Sequence, residues 1–246
     1  LPNLKYKVYD TDGDYAEGTI NIKVKPVADA STITFDTAKG AIVNSKFEVT
    51  TEEDNKNNNE GTHKVELGLK VPSLSKDQTD ENNATGDSPE RNGEITLKFT
   101  NGNSLVSKAE NKTIPNTGAK LFYITNGVET DTGVLIDSKD EKVTVVIVKT
   151  SGGTDIDTTY HHSGTLPAKG GNVLYLTKEE YESLKIQHAE DNDTNIQINI
   201  GVTSYEVNDN GEPLFKNSSY DDNNNPNLYK NSNATMTVVI KPVTDD

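Results

Sequence analysis

The chain has 246 residues, of which 31% are hydrophobic and 6% aromatic; these are too few for a thick core, but its Val, Ile and Thr cluster in alternating runs that suit a thin all-β domain. With 39 Asp and Glu against 24 Lys and Arg, a formal charge of −15, the surface repels nucleic-acid phosphates and anionic membranes and favours a divalent cation. The lack of cysteine excludes disulfides, thiol nucleophiles and thiolate metal ligands, and no apolar run is long enough to span a bilayer.

LKYKVY (4–9), DTDGDYAEG (10–18) and TINIKVKPV (19–27) read as strand, acidic turn and strand, a hairpin without a core of its own. Strands are then expected at STITF (31–35), THKVELGLKV (62–71), GEITLKF (93–99), AKLFYI (119–124) and KVTVVIV (142–148). Val65, Leu67, Leu69 and Val71 fall on one face of the second, and Ile95, Leu97 and Phe99 on one face of the third. One short helix is expected in KEEYESL after Thr177, where Glu180 completes a capping box. NIQINIGV (195–202) and TMTVVI (235–240) supply the last two strands. Long polar loops at 52–61, 75–93, 150–165 and 208–227 carry most of the acidic residues, and loops of that length are functional, metal-ordered or disordered.

KPVAD (25–29) returns as KPVTD (241–245), each time after an alternating run. The layout from INIGVTSYEVNDNG to the end repeats that of residues 1–29 with a longer turn. Residues 1–29 therefore read as the C-terminal hairpin and linker of a preceding module, and residues 30–246 as one complete module with its own exit; the abrupt start suits a fragment of something longer.

The order EED (52–54), VELGLKV, GEITLKF, GAKLFY, YLTKEEYESLKI, TNIQINIGVTSYE and VVIKPVTD resembles the Ig-like or cadherin-like modules of giant RTX-type bacterial adhesins. The resemblance spans essentially the whole chain and implies an antiparallel Ig-like β-sandwich with long acidic calcium-binding loops, secreted to the bacterial cell surface. It further implies adjacent modules of the same chain as partners, Ca²⁺ at the junctions, and a role in cell adhesion and biofilm formation. In such modules the acid after the linker joins acids of the next module's N-terminal loop, which maps onto Asp29 with Glu52, Glu53 and Asp54, and leaves Asp245 to a downstream partner.

Calcium takes six to eight oxygen ligands. Asp10, Asp12 and Asp14 alternate around Gly13 in a turn that is either simply solvated or calcium-binding, and it is not an EF-hand. Asp80 and Asp87 share a loop with Asp77, Glu81 and Glu90. Asp155 with Asp157, Asp191 with Asp193, and Asp209 with Asp221 and Asp222 are the other acidic groups, each weighed against plain solvation, and Glu206 is a further candidate ligand. His161 and His162 read as exposed loop histidines rather than zinc ligands.

No nucleophile elbow or phosphate-cradling loop is present, so the chain reads as a non-enzyme. Two functions remain open. One is capture of a peptide or glycan of a host or neighbouring cell by calcium-ordered loops, with Tyr160, Tyr220, Asp221, Asp222 and Tyr229 at the ligand; the other is a purely structural stalk extender. Neither nucleic acid nor membrane insertion is expected.

Overall fold

The computed structural model describes residues 4–21, 26–53, 64–74, 90–106, 118–160, 162, 164–189, 192–208, 210–214 and 228–242. Strands β1 (Leu4–Tyr9) and β2 (Tyr15–Ile20) form a two-stranded antiparallel hairpin that joins neither of the other sheets. Its turn is the five residues Asp10–Asp14, shorter than expected, because Tyr9 already pairs with Tyr15. The register places Leu4, Tyr6 and Val8 opposite Ile20, Gly18 and Ala16, so one face is wholly apolar. Leu4, Tyr6, Val8 and Ile20 remain 46–59% exposed.

The body holds β3 (Ala41–Val43), β4 (Lys46–Glu52), β5 (Lys64–Glu66), β6 (Glu90–Phe99), β7 (Ala119–Thr125), β8 (Val128–Ile136), β9 (Glu141–Ile147), β10 (Val173–Leu176), α1 (Lys178–Glu182), β11 (Lys185–Gln187), β12 (Ile196–Glu206) and β13 (Tyr229–Lys241). A seven-stranded sheet runs β10-β9-β6-β12-β13-β4-β3, and a four-stranded sheet runs β5-β11-β7-β8. The all-β expectation holds. The expectation of purely antiparallel pairing does not: β10 lies parallel to β9 and β4 parallel to β13, which makes the large sheet mixed.

Alternation explains how the layers meet. Ile95, Leu97 and Phe99 of β6, Ile196, Ile198, Ile200 and Val202 of β12, and Met236, Val238 and Ile240 of β13 project from one face of the large sheet. Together with Leu121 of β7, Val134 and Ile136 of β8 and Ile186 of β11 they form one buried cluster, so the two sheets share a single core. At about 1.5–3 kcal/mol for each such side chain removed from water, this cluster is the main source of stability. Among the described residues it is joined by a smaller cluster, Val146, Val148 and Tyr175, on the outer side of β9 and β10.

Helix α1 starts as its sequence requires: the Glu180 N–H donates to Thr177 Oγ1 (3.2 Å) and the Thr177 N–H donates to Glu180 Oε2 (2.9 Å). It carries the chain from β10 in the large sheet to β11 in the small one and fills the core with Tyr181.

Two expected strands are curtailed. STITF makes only isolated bridges, Thr32 to Ser73 and Phe35 to Leu69, and of the described residues 64–71 only Lys64–Glu66 form a strand, because Gly68 turns with φ +61°. A Cβ at Gly68 would also lie only 3.1 Å from the Phe47 ring, a tight approach in the core.

Candidate functional site

The hairpin turn assembles Asp10, Asp12 and Asp14 as expected, with one carboxylate oxygen from each within 4.8 Å of the others and all three residues exposed. Backbone geometry gathers them: the Asp10 N–H donates to the Asp14 carbonyl (2.9 Å), the Asp14 N–H donates to Asp10 Oδ1 (2.9 Å), and Gly13 takes φ +98°. A hydrogen bond with the Asp12 carboxyl, helped by the N–H groups of Asp14, Asp12 and Gly13, holds the Asp10 carboxyl below its ordinary value. Three hard oxygen donors with their remaining positions open to water match calcium's chemistry better than that of a nitrogen- or sulfur-seeking metal. Among the described residues no other group of three His, Cys, Asp or Glu side chains is so placed.

The junction site expected from Asp29 with Glu52 and Glu53 does not form. Asp29 sits near the start of β13, where its N–H donates to Glu90 Oε1 and its carbonyl accepts from Ser204 Oγ, which also donates to the Lys230 carbonyl (3.3 Å). Glu52 pairs with Lys241 at the far end of β13, and the Glu53 N–H donates to the Lys241 carbonyl (2.9 Å). Lys230 and Lys241 lie on one unbroken strand, so at about 3.3 Å per residue the two groups are roughly 35 Å apart. His188 locks the far end through Nε2 to the Glu52 carbonyl (3.2 Å).

What Asp29 meets instead is a polar interior. Glu90 and Glu206 face each other across β6 and β12 and are 1% and 0% exposed, with Asn92, Ser204 and Ser31 buried beside them. Asn92 Nδ2 donates to the Pro72 carbonyl (3.0 Å) and its Oδ1 accepts from Ser31 Oγ. Two carboxylates buried side by side hold only where donors, a proton or a cation offset their repulsion and lost hydration. Glu206 was singled out from the sequence. In the sequence its partner Glu90 falls with the loop acids, because a register shift in β6 between Asn92 and Ile95 puts Glu90 and Asn92 out of period with Ile95, Leu97 and Phe99.

The other sequence candidates divide. Asp155 and Asp157 join no third acidic group among the described residues; Asp157 Oδ1 instead accepts from the Thr159 N–H (3.0 Å) and Oγ1 (2.9 Å), closing a local turn. Asp193 is exposed beside Asn192, whose Nδ2 donates to the Ser104 (2.9 Å) and Val106 (2.6 Å) carbonyls and orders that loop. Tyr160 is no stacking wall: it belongs to the core, with its hydroxyl donating to the Pro72 carbonyl at 2.8 Å. His162 is likewise buried, with Nδ1 2.8 Å from Glu94 Oε1, rather than an exposed loop histidine. Tyr229 is exposed and lies against Tyr205, ring centroids 6.5 Å apart and tilted by 41°. Asp54, Asp80, Asp87, Asp191, Asp209, Asp245, Tyr220, Asp221, Asp222 and His161 lie outside the described residues.

In comparisons with known proteins, no family model, no curated protein and no solved structure matches the chain. Among the described residues no helix is long and apolar enough to cross a membrane.

Proposed function

We propose that the chain is a calcium-stabilised, Ig-like sandwich module of a secreted bacterial surface adhesin, working in a row of like modules in cell adhesion and biofilm formation. The observation that carries this reading is the polarity of the body. The chain comes in through Pro26–Ser31 beside Lys230 and leaves after Lys241, at opposite ends of β13. A domain arranged in this way transmits tension along its longest strand, which suits a link in a stalk. The duplicated Lys-Pro-Val segments mark both ends.

Calcium in this reading rests on the Asp10, Asp12 and Asp14 turn. A cation that binds only the folded protein stabilises it by about 2.7 kcal/mol at a hundredfold excess over Kd. Limited proteolysis in EDTA and in millimolar Ca²⁺ tests the reading. Chelation should speed cleavage within residues 4–20, and identical cleavage rates would refute it. The pair of half-buried Tyr205 and exposed Tyr229 favours a second role, capture of a peptide or glycan, over a bare extender.

A further inference from the structure

The outer face of the large sheet holds a depression of about 340 Å³ on β6, β12 and β13, within the ~300–1,000 Å³ range of small-ligand pockets. Its centre is Gly201, in the interior of the eleven-residue strand β12. Glycine weakens a strand and marks a bulge or a place where something approaches the backbone closely. Neither conformation nor packing demands it here. Gly201 does not have a positive φ, and an added Cβ would meet only the movable Asn233 Oδ1, at 3.1 Å. Gly93 is different, because a Cβ there would lie 2.8 Å from the Tyr205 ring; Gly93 is what allows that ring to lie across β6.

Asn199, Asn231 and Asn233 surround Gly201, although asparagine is also depleted in strands. Thr203 Oγ1 donates to Asn231 Oδ1 (2.6 Å) and so orients that amide. The two charged side chains at the rim are already paired, Glu94 with His162 at 2.8 Å and Lys98 with Asp140 at 3.0 Å. An ion gains little from such a lining. A neutral polyol gains more, because amides and hydroxyls both donate and accept, as sugar hydroxyls do. At one end of the depression, two residues beyond Thr203 and Asn231, stand Tyr205 and Tyr229, whose rings offer apolar faces with polar tips.

We infer that this face is a calcium-independent binding site for a short neutral saccharide, with the Gly201 depression taking one sugar ring among the amides and the Tyr205 and Tyr229 rings packing the C–H face of the next. Its lining includes none of Asp10, Asp12 and Asp14, so it stands or falls apart from the calcium reading.

The test is an NMR titration of ¹⁵N-labelled protein with glucose, galactose, mannose, N-acetylglucosamine, maltotriose and cellotriose, in EDTA and again in Ca²⁺. At least one probe should shift amides in 94–98, 199–205 and 229–233 equally in both buffers. Gly201→Thr, which fills the depression with a better strand former, should weaken that binding by about tenfold or more, the scale of one misplaced methyl-sized group in a binding site, without lowering the melting temperature. Tyr229→Ala should weaken it too. The inference is overturned if no probe shifts these amides, or if binding survives both substitutions. Binding that disappears in EDTA and is untouched by Gly201→Thr would also overturn it, by placing the ligand on calcium-ordered loops.

Discussion

Two core tyrosines that look alike in sequence should respond in opposite directions to losing their hydroxyls. Tyr181 is fully buried at the end of α1, and its hydroxyl has no hydrogen-bond partner among the described residues. Tyr160 is also buried, but its hydroxyl donates to the Pro72 carbonyl at 2.8 Å. Burial pushes both phenols above their ordinary value, so both are neutral at every pH at which the protein is handled. A buried polar group without a partner costs about 1–3 kcal/mol, whereas a made hydrogen bond contributes about 0.5–1.5 kcal/mol net. Tyr181→Phe removes the penalty and retains the ring, so it should stabilise the protein by about 1–2 kcal/mol. For a domain of this size that corresponds to a rise of about 2–8 °C in melting temperature. Tyr160→Phe should cost about 1 kcal/mol and no more, because the Pro72 carbonyl still accepts from Asn92 Nδ2. Calorimetry and urea unfolding of the three proteins measure the difference. If Tyr181→Phe destabilises as much as Tyr160→Phe, the hydroxyl has a partner and the reasoning fails.

Three further outcomes are expected. The His162 side chain bonded to Glu94 holds the Glu94 carboxyl below its ordinary value, so its stabilisation is present above the unfolded value near 4.5 and lost as pH falls through the lower folded value. Accordingly the stability gap between the parent and Glu94→Gln should be flat from about pH 5.5 to 5 and close on further acidification, and a gap that widens instead would refute the pairing. Thr177→Ala removes half of the capping box and should cost about 1 kcal/mol in urea unfolding; a neutral result would show that tertiary packing alone fixes α1. Deleting residues 1–21 should leave the melting temperature of the body unchanged, since β1 and β2 join neither of its sheets, and loss of folding would place the hairpin within the main domain.

The local features of this fold were legible in the chain. Period-two alternation located β6, β9, β12 and β13, because a strand with one buried face must repeat every second residue, and the Thr177 capping box located α1. The hairpin turn with its three aspartates was equally readable, since its backbone bonds all lie within five residues. Strand β8 carries a sequence signal of its own: Asn126-Gly127, both at positive φ, is the two-residue turn that joins it to β7. Gly133, at φ +77°, interrupts its alternation.

Only the tertiary structure decided which strands are neighbours. Alternation reads the same in parallel and antiparallel pairs, so nothing in Lys46–Glu52 shows that it runs alongside the chain's last strand. That one pairing carries Glu52 and Glu53 to the opposite end from Asp29. Burial of Tyr160 and His162 also depends on contacts with residues far away in the chain, Pro72 and Glu94, and the Gly201 depression exists only because β6 and β13 flank β12 with polar side chains. Local sequence sets backbone shape through sterics and short-range hydrogen bonds. The sites depend on contacts between residues far apart in the chain, and those form only when the whole core closes.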